Sequence, residues 1–413
     1  MQCNKNMNAV ARMMQSGVNG KVFPGAVLLV SYKDEILFYD SFGLADIESG
    51  QLMQKNSVFD LASLTKPLAA ALCLMRLVEK SAISLDNNLS QIFTDIFRPE
   101  NGTFWADNIN NIKDKADITV EQLLRHISGL PAHRPFYEQV VLKPKAERRN
   151  FMRQLVLTEP LAAKPGQRQI YSDLGYMLLA WIIEQVSVTR LDKFVYKEIY
   201  EPIGVKELFF MPIGDNIDNI VDNRNIAIKN YSDKSYSNQI NKIDSKKDIL
   251  FVPTEICPWR KKVLRAEVHD DNAWAVGGVD GHAGLFGTAL GVWCLLIEIM
   301  NILNGQESLL VKKDTLKRFL SKNYIYANAL AAGRFDMVAG FDTPSLSGSS
   351  AGRYFSSESI GHLGFTGTSF WLDPLNSVIV ILLSNRVHPT RNNQKIKEFR
   401  PMIHDLIIET LIR

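Results

Sequence analysis

The sequence predicts an α+β fold: an antiparallel sheet built from both termini, flanked by helices, with a mostly helical domain inserted in its middle. Three observations predict it. Apolar strand patterns lie near the start, at 24–43, and again near the end, at 360–385. The patterns from about 118 to 200 are helical throughout. No internal repeat divides the 413 residues, so one architecture must account for the whole chain. The expected division is a sheet domain of 1–60 with 267–413, and an inserted helical domain of 61–266 with a polar insertion near 212–265.

The elements follow in order. PGAVLLVSYKDEILFYDSFG (24–43) reads as a hairpin of two apolar strands around Lys33-Asp34-Glu35. SLTKPLAAALCLMRLVEK (63–80) reads as a helix packed on several sides, with Pro67 close enough to its start that the missing N–H costs little. TVEQLLRHISGL, RRNFMRQLVL, LGYMLLAWIIEQV and LDKFVYKEIY are four further helices, each closed by Gly, Pro or polar residues. Residues 98–117 and 212–265 are rich in Asn, Asp and Lys and read as loops or insertions. A helix is expected over 287–303. GHLGFTGTSFWLD and NSVIVILLSN read as two strands around Asp373-Pro374-Leu375-Asn376, and EFRPMIHDLIIETLIR as a closing amphipathic helix.

Composition removes several function classes. Hydrophobic residues are 46% and charged residues 22%, which excludes a disordered or fibrous chain. Forty-seven basic against 44 acidic residues leave a charge of +3, too little for a nucleic-acid binder by charge. The 4 cysteines form no C-x-x-C pair or disulfide framework, and the 7 histidines show no H-x-x-x-H spacing, so no metal or cofactor is expected. No apolar run reaches the ~18 residues of a membrane span. The opening MQCNKNMNAVARMM lacks the apolar core of a secretory signal, and no hydrophobic segment precedes Cys3. A bacterial cytoplasmic location is the expectation, or a periplasmic one if the natural chain carries a leader.

Three short patterns can carry chemistry. Ser63-Leu-Thr-Lys66 places an amine one helical turn from a hydroxyl, at a helix start whose N–H groups stabilise negative charge. A serine needs an adjacent base, and the lysine can serve only if its pKa is lowered. Tyr171-Ser172-Asp173 is one of five Y-x-[ND] matches, with Tyr32, Tyr231, Tyr236 and Tyr326; it alone lies on a tight connection before a long apolar helix. H-x-G occurs as His282-Ala-Gly284, which introduces a helix and reads as a capping or packing histidine, and as His362-Leu-Gly364. The second lies on a strand followed by Phe365-Thr366-Gly367-Thr368, where glycine lets a substrate approach the backbone.

In this order and context the three patterns resemble the serine β-lactamase and penicillin-binding protein superfamily. The likeness is to the side holding class C β-lactamases, D-alanyl-D-alanine carboxypeptidases and related esterases. The resemblance covers nearly the whole chain, through FPGAVLLV, FDLASLTK, ITVEQLLRHISGLP and GHLGFTGTSFWLDP. VHDDNAWAVGGVDGHAGLFGTA (268–289) is similar to a narrower branch with carboxypeptidases and amidases of muropeptide recycling. The resemblance implies a β-lactamase/transpeptidase-like fold and an acyl-enzyme on Ser63. It gives Lys66 and Tyr171 the proton transfers, the N–H groups of Ser63 and Phe365 the oxyanion hole, and His362 the place of the third-motif lysine. Asp173, Gly364 and Phe365 would contact substrate. The implied partner is a small molecule or short peptide, such as a muropeptide or β-lactam.

Two departures from the family pattern bear on that expectation. Asp173 stands where class C enzymes have Asn; it accepts hydrogen bonds but cannot donate to a substrate carbonyl, and it should favour the charged form of Lys66. His362 replaces a permanent cation, weakening the hold on a substrate carboxylate near pH 7. Arg386 could supply the missing charge, but reads first as an exposed strand-end arginine. His269-Asp270-Asp271-Asn272 reads as pocket wall, His126 as a packed histidine near the site, and Trp105, Trp259 and Trp274 as core aromatics. The leading expectation is a serine hydrolase acting on a small peptide or muropeptide. The alternatives are a short-chain esterase and a non-turnover binding or sensor protein for wall fragments.

Overall fold

A computed structural model describes residues 7–97, 109–214, 250–322 and 337–412. Its main sheet has eight antiparallel strands, and the reason lies in two apolar segments. β1 (Gly25–Tyr32) and β13 (Val378–Ser384) are buried almost throughout and pair centrally, Leu29 opposite Ile381. Alternate side chains of each strand point to opposite faces. Val27, Leu29, Ile379, Ile381 and Leu383 join the large helical core, while Ala26, Leu28, Val30, Val380 and Leu382 meet helices on the other face. A sheet covered on both faces needs continuous apolar strands.

β2 (Glu35–Asp46) and β3 (Gln51–Leu52) extend the sheet on one side. β12 (Ser369–Asp373), β11 (Ile360–Leu363), β10 (Phe341–Asp342) and β9 (Met337–Val338) extend it on the other. The order is β3-β2-β1-β13-β12-β11-β10-β9. The outer face is covered by the terminal helices Asn8–Asn19, which the sequence reading had not anticipated, and Ile396–Ile412. The inner face packs on Ala289–Leu303, and the core continues into the Leu72–Glu79, Val120–Leu124, Lys145–Thr158 and Asp173–Ser187 helices. A three-stranded sheet, β4 (Phe59–Asp60), β8 (Leu285–Gly287) and β5 (Leu208–Phe210), joins distant segments beside the core, and β6 (Ile256–Cys257) pairs with β7 (Lys262–Val263). We propose the division at residues 61 and 266 as a description of how these layers are connected; a single hydrophobic core runs through both parts.

Two expectations need correction. GHLGFTGTSFWLD is not one strand: it breaks after Leu363 and resumes at Ser369. The Gly364 N–H donates to the Thr368 carbonyl at 2.7 Å, and Gly367 takes φ +109°, a backbone conformation that favours glycine. The 63–80 segment is helical but not one α-helix: a 3₁₀ turn (Ala62–Leu64) and a π-helical stretch (Lys66–Ala71) precede Leu72–Glu79. π turns recur at functional sites because they re-aim side chains. Trp105 and the middle of the 212–265 insertion lie outside the described residues.

Candidate active site

The nucleophile segment is held under strain. Ala62, just before Ser63, sits at φ +48°, which costs a non-glycine residue about 1–3 kcal/mol unless its surroundings enforce it. The buried Asp60 carboxylate enforces it, accepting from the Ala62 N–H at 2.8 Å and the His269 N–H at 2.7 Å. Thr65 Oγ1 donates to the Ala62 carbonyl and accepts from the Leu285 N–H, fastening the turn to β8. The third-motif turn is fastened to the same place: Thr366 Oγ1 donates to the Asp60 carbonyl and Thr368 Oγ1 to the Leu61 carbonyl. Gly364 is required there, since a Cβ would lie 2.0 Å from Thr368 Oγ1 and 2.7 Å from the Leu61 carbonyl oxygen.

Lys66 and Tyr171 stand beside Ser63, with Asp173 behind Lys66. Lys66 is fully buried, and its Nζ donates to Ser63 Oγ at 3.0 Å, Asp173 Oδ1 at 2.7 Å and the His282 carbonyl at 3.2 Å. Nζ also lies 4.8 Å from the Tyr171 ring centroid. Burial alone would lower the pKa of Lys66, but the Asp173 charge, with Tyr171, drives it well above the ordinary lysine value. Asp173 is moved the opposite way: burial would raise it, and Lys66 and His133 hold it far below the carboxylate range. Burial raises the Tyr171 phenol, with Lys66 and Ser63 pulling it down.

Tyr171 is 40% exposed, toward the cleft, and is set by His126. That buried ring stacks on it at 4.5 Å between centroids, and its Nδ1 accepts the Ser172 N–H at 2.9 Å. Nδ1 is therefore the bare nitrogen of a neutral imidazole, kept neutral by burial and by the nearby Lys66 charge. Ser172 caps the Asp173–Ser187 helix by accepting the Gly175 N–H, which places Asp173 at the first helical position.

His362 lies on β11, its ring 6.0 Å from that of Tyr171. Nδ1 lies 3.0 Å from the Leu363 carbonyl, and the buried Nε2 has no partner. Burial and the Lys66 charge lower its pKa to about 3. His362 is thus a neutral group where the family pattern has a cation.

A cleft of about 620 Å³ opens over these residues. One wall holds His133, Asp173, Asp270 and His282; the other holds Gly364, Phe365, Arg386 and Arg400. His282, expected as a capping or packing residue, is instead one member of a buried ion pair. Its Nε2 meets Asp270 Oδ1 at 2.9 Å and its Nδ1 faces Asp280 Oδ1 at 3.7 Å. Burial would lower its pKa, but Asp270 and Asp280 raise it to about 10. His269 and Asp271 also line this wall, whereas Trp259 and Trp274 pack on each other beyond it.

Arg386 also needs correction: it is 5% exposed, not a surface residue. Its guanidinium donates to the carbonyls of Phe365 (2.9 and 2.6 Å), Arg391 (3.1 Å) and Asn393 (2.5 Å). It therefore buttresses the turn that carries Phe365, which is 49% exposed at the cleft. Arg400, unmentioned in the sequence reading, donates to the carbonyls of Thr368 at 2.9 Å and Gly364 at 3.4 Å. Among the described residues no group of three or more His, Cys, Asp or Glu is arranged to hold a metal ion, and no helix is long and apolar enough to cross a membrane.

An antiparallel sheet from both termini, with a buried lysine joining a serine to a Tyr-x-Asp turn, defines a serine hydrolase of the penicillin-recognising type. The chain matches the Beta-lactamase family over residues 10–400, and it belongs to that family. A relative in Salmonella agona (strain SL483), provisionally named a D-alanyl-D-alanine carboxypeptidase, is 28% identical over 384 residues, 91% of this chain and 81% of its own. Solved structures with the same fold include the octameric penicillin-binding protein homologue from Pyrococcus abyssi. It is 18% identical at TM-score 0.63, over 98% of this chain and 78% of that one. EstCE1, a hydrolase with promiscuous acyltransferase activity, is 18% identical at TM-score 0.61, over 95% and 98%.

Proposed function

We propose that this serine hydrolase cleaves an amide or ester of a short peptide or muropeptide through an acyl-enzyme on Ser63. The observation that carries the reading is the Lys66 ammonium, fully buried and shared between Ser63 Oγ and Asp173. A buried charge directed at a hydroxyl on a strained turn in a cleft supports a reaction at Ser63. The carboxypeptidase name of the Salmonella relative supports a peptide substrate.

The directions of the pKa shifts support one division of roles. Lys66 is held as an ammonium by Asp173, so it is a poor base. Tyr171 is the group that can take the Ser63 proton, because the phenolate it forms lies against the Lys66 charge. Ser63 Oγ then attacks the carbonyl carbon, and the backbone N–H groups of Ser63 and Phe365 receive the oxyanion. Tyr171 returns the proton to the leaving group, and activates water in the second half. His362, neutral and with Nε2 unpartnered, is a hydrogen-bonding group for the substrate, not a counter-ion. That neutrality also suits a second reading, short-chain ester cleavage without peptide turnover.

A fluorophosphonate should add to wild type at one site and not to Ser63→Ala, with turnover lost in parallel by about 10⁴-fold or more. Equal labelling of both would remove Ser63 from the mechanism. Release of alanine from peptides eliminates the ester-only reading.

A further inference from the structure

The two walls of the cleft differ in charge: one presents carboxylates with oxygens still free, the other guanidinium groups without a carboxylate. On one, the Asp173 and Asp270 carboxylates face the cations Lys66 and His282, with His133 beside Asp173. The Oδ1 atoms of Asp173 and Asp270 are occupied by Lys66 and His282. Among the described residues no group but His133 Nδ1, 3.7 Å from Asp173, approaches either Oδ2, and both side chains keep partial exposure on the cleft.

The opposite wall supplies an independent sign of a charged ligand. Arg386 and Arg400 are each 5% exposed, both line the cleft, and every hydrogen bond they make is to a backbone carbonyl. Neither has a carboxylate partner among the described residues, and the buried Arg400 Nε has no partner at all. Two buried guanidinium groups without a counter-ion are costly unless a ligand provides one. Burial and the Arg386 charge accordingly pull the Arg400 guanidinium down to about 9.

We infer that the cleft takes an unblocked short peptide, its amino-terminal ammonium between Asp173 and Asp270 and its carboxylate on the Arg386–Arg400 side, so that Ser63 removes the first residue. This deepens the acyl-enzyme reading and rests on it. The placement agrees with covalent geometry. An α-ammonium nitrogen lies about 2.5 Å from its own carbonyl carbon, and Asp173 and Ser63 accept from the same Lys66 ammonium, at 2.7 and 3.0 Å. An N-acylated peptide would present a carbonyl oxygen to Asp173, which has no hydrogen to donate to it. In the reaction the Ser63 Oγ–C bond forms, the C–N bond breaks, and the serine proton goes to the leaving amine. Water then cleaves the ester, giving a free amino acid and the shortened peptide.

The test compares kcat/KM for alanyl-alanine dipeptides of all four stereochemistries, each with a free and an acetylated amino terminus. Wild type should prefer the free amine of its best stereoisomer by at least about tenfold. Asp173→Asn should reverse the preference toward the acetylated peptide, and Asp270→Asn should erase most of it. The ratio is internal to each variant, so a general loss of activity through Lys66 cancels. Amidating the carboxylate should cost wild type about tenfold and Arg400→Gln nothing further. Equal or better turnover of acetylated peptides by wild type, or no turnover of any free-amine peptide by an enzyme whose Ser63 still takes a fluorophosphonate, overturns this inference and leaves the acyl-enzyme standing. Failure of Ser63 to label overturns both.

Discussion

The same tripeptide pattern, His-x-Gly, lines the cleft at Ser63 twice, and the two histidines have opposite electrostatics. His282 and His362 are each 1% exposed, so burial disfavours a charge on both. Their neighbours decide the outcome. His282 has Asp270 and Asp280 within reach and is held as a cation, its pKa near 10. His362 has a backbone carbonyl beside Nδ1 and the Lys66 charge nearby, and is held neutral, its pKa near 3. Burial sets how strongly a charge is felt; the partner sets its sign. Lys66, Asp173 and His282 are therefore ionised, and His362 faces the cleft as a neutral group on the wall that also holds Arg386 and Arg400.

The largest test of this division acts on the ionised side. Lys66→Met should lower kcat/KM by about 10³-fold, the range of a positioned charge that stabilises the developing phenolate and oxyanion. It should also destabilise the fold by about 3–5 kcal/mol, because Asp173 then loses the partner of a buried ion pair. Denaturant unfolding checks the second effect separately from the first. A loss of activity with unchanged stability would mean that the ion pair contributes little to the fold.

The pH dependence of the reaction comes next. With Lys66 and Tyr171 both raised above their ordinary values, the base form of Tyr171 is scarce at neutral pH. On an ester or acetylated substrate, which has no amine to titrate, we expect kcat/KM to climb with pH through pH 9, about tenfold per unit, and to level only above the ordinary tyrosine value. A plateau beginning near pH 7 would point to a different base. A smaller effect, about tenfold, is expected of His126→Phe, which keeps a ring against Tyr171 but leaves the Ser172 N–H unpaired. It should lower kcat more than it raises KM, as a positioning residue does.

The smallest effects are on stability, and they have opposite slopes. His282 is raised in the folded protein, so its contribution is complete below its unfolded value of 6.5 and disappears as pH rises through about 10. His362 is lowered, so its contribution is complete above 6.5 and is lost as pH falls toward about 3. Compared with wild type, His282→Gln should close its stability deficit between pH 6.5 and 10. His362→Gln should improve relative to wild type between pH 6.5 and 3. Urea midpoints across pH read both.

The sequence carried the frame and the side chains that meet around Ser63 because those depend on local pattern. Alternation and continuous burial mark β1 and β13, and Ser63, Lys66, Tyr171 and His362 each stand in a short motif on a recognisable element. The charges of the cleft were less legible, because they depend on residues brought together by the fold. His282 looked like a helix-entry histidine; the Asp270 that ionises it is 12 residues upstream, and only Asp280 hints at a partner. Arg386 looked exposed because it ends a strand, but the turn at Phe365 and the 391–393 carbonyls close over it. Arg400 lies in an amphipathic helix, where nothing local distinguishes a buried guanidinium from a solvated one.

The partition of the cleft can be read directly from the ¹⁵N chemical shifts of the two imidazoles, assigned with His282→Gln and His362→Gln, across pH 5–9. His282 should show two protonated nitrogens throughout that range, and His362 one protonated and one bare nitrogen. Both rings titrating together near pH 6.5 would contradict the account.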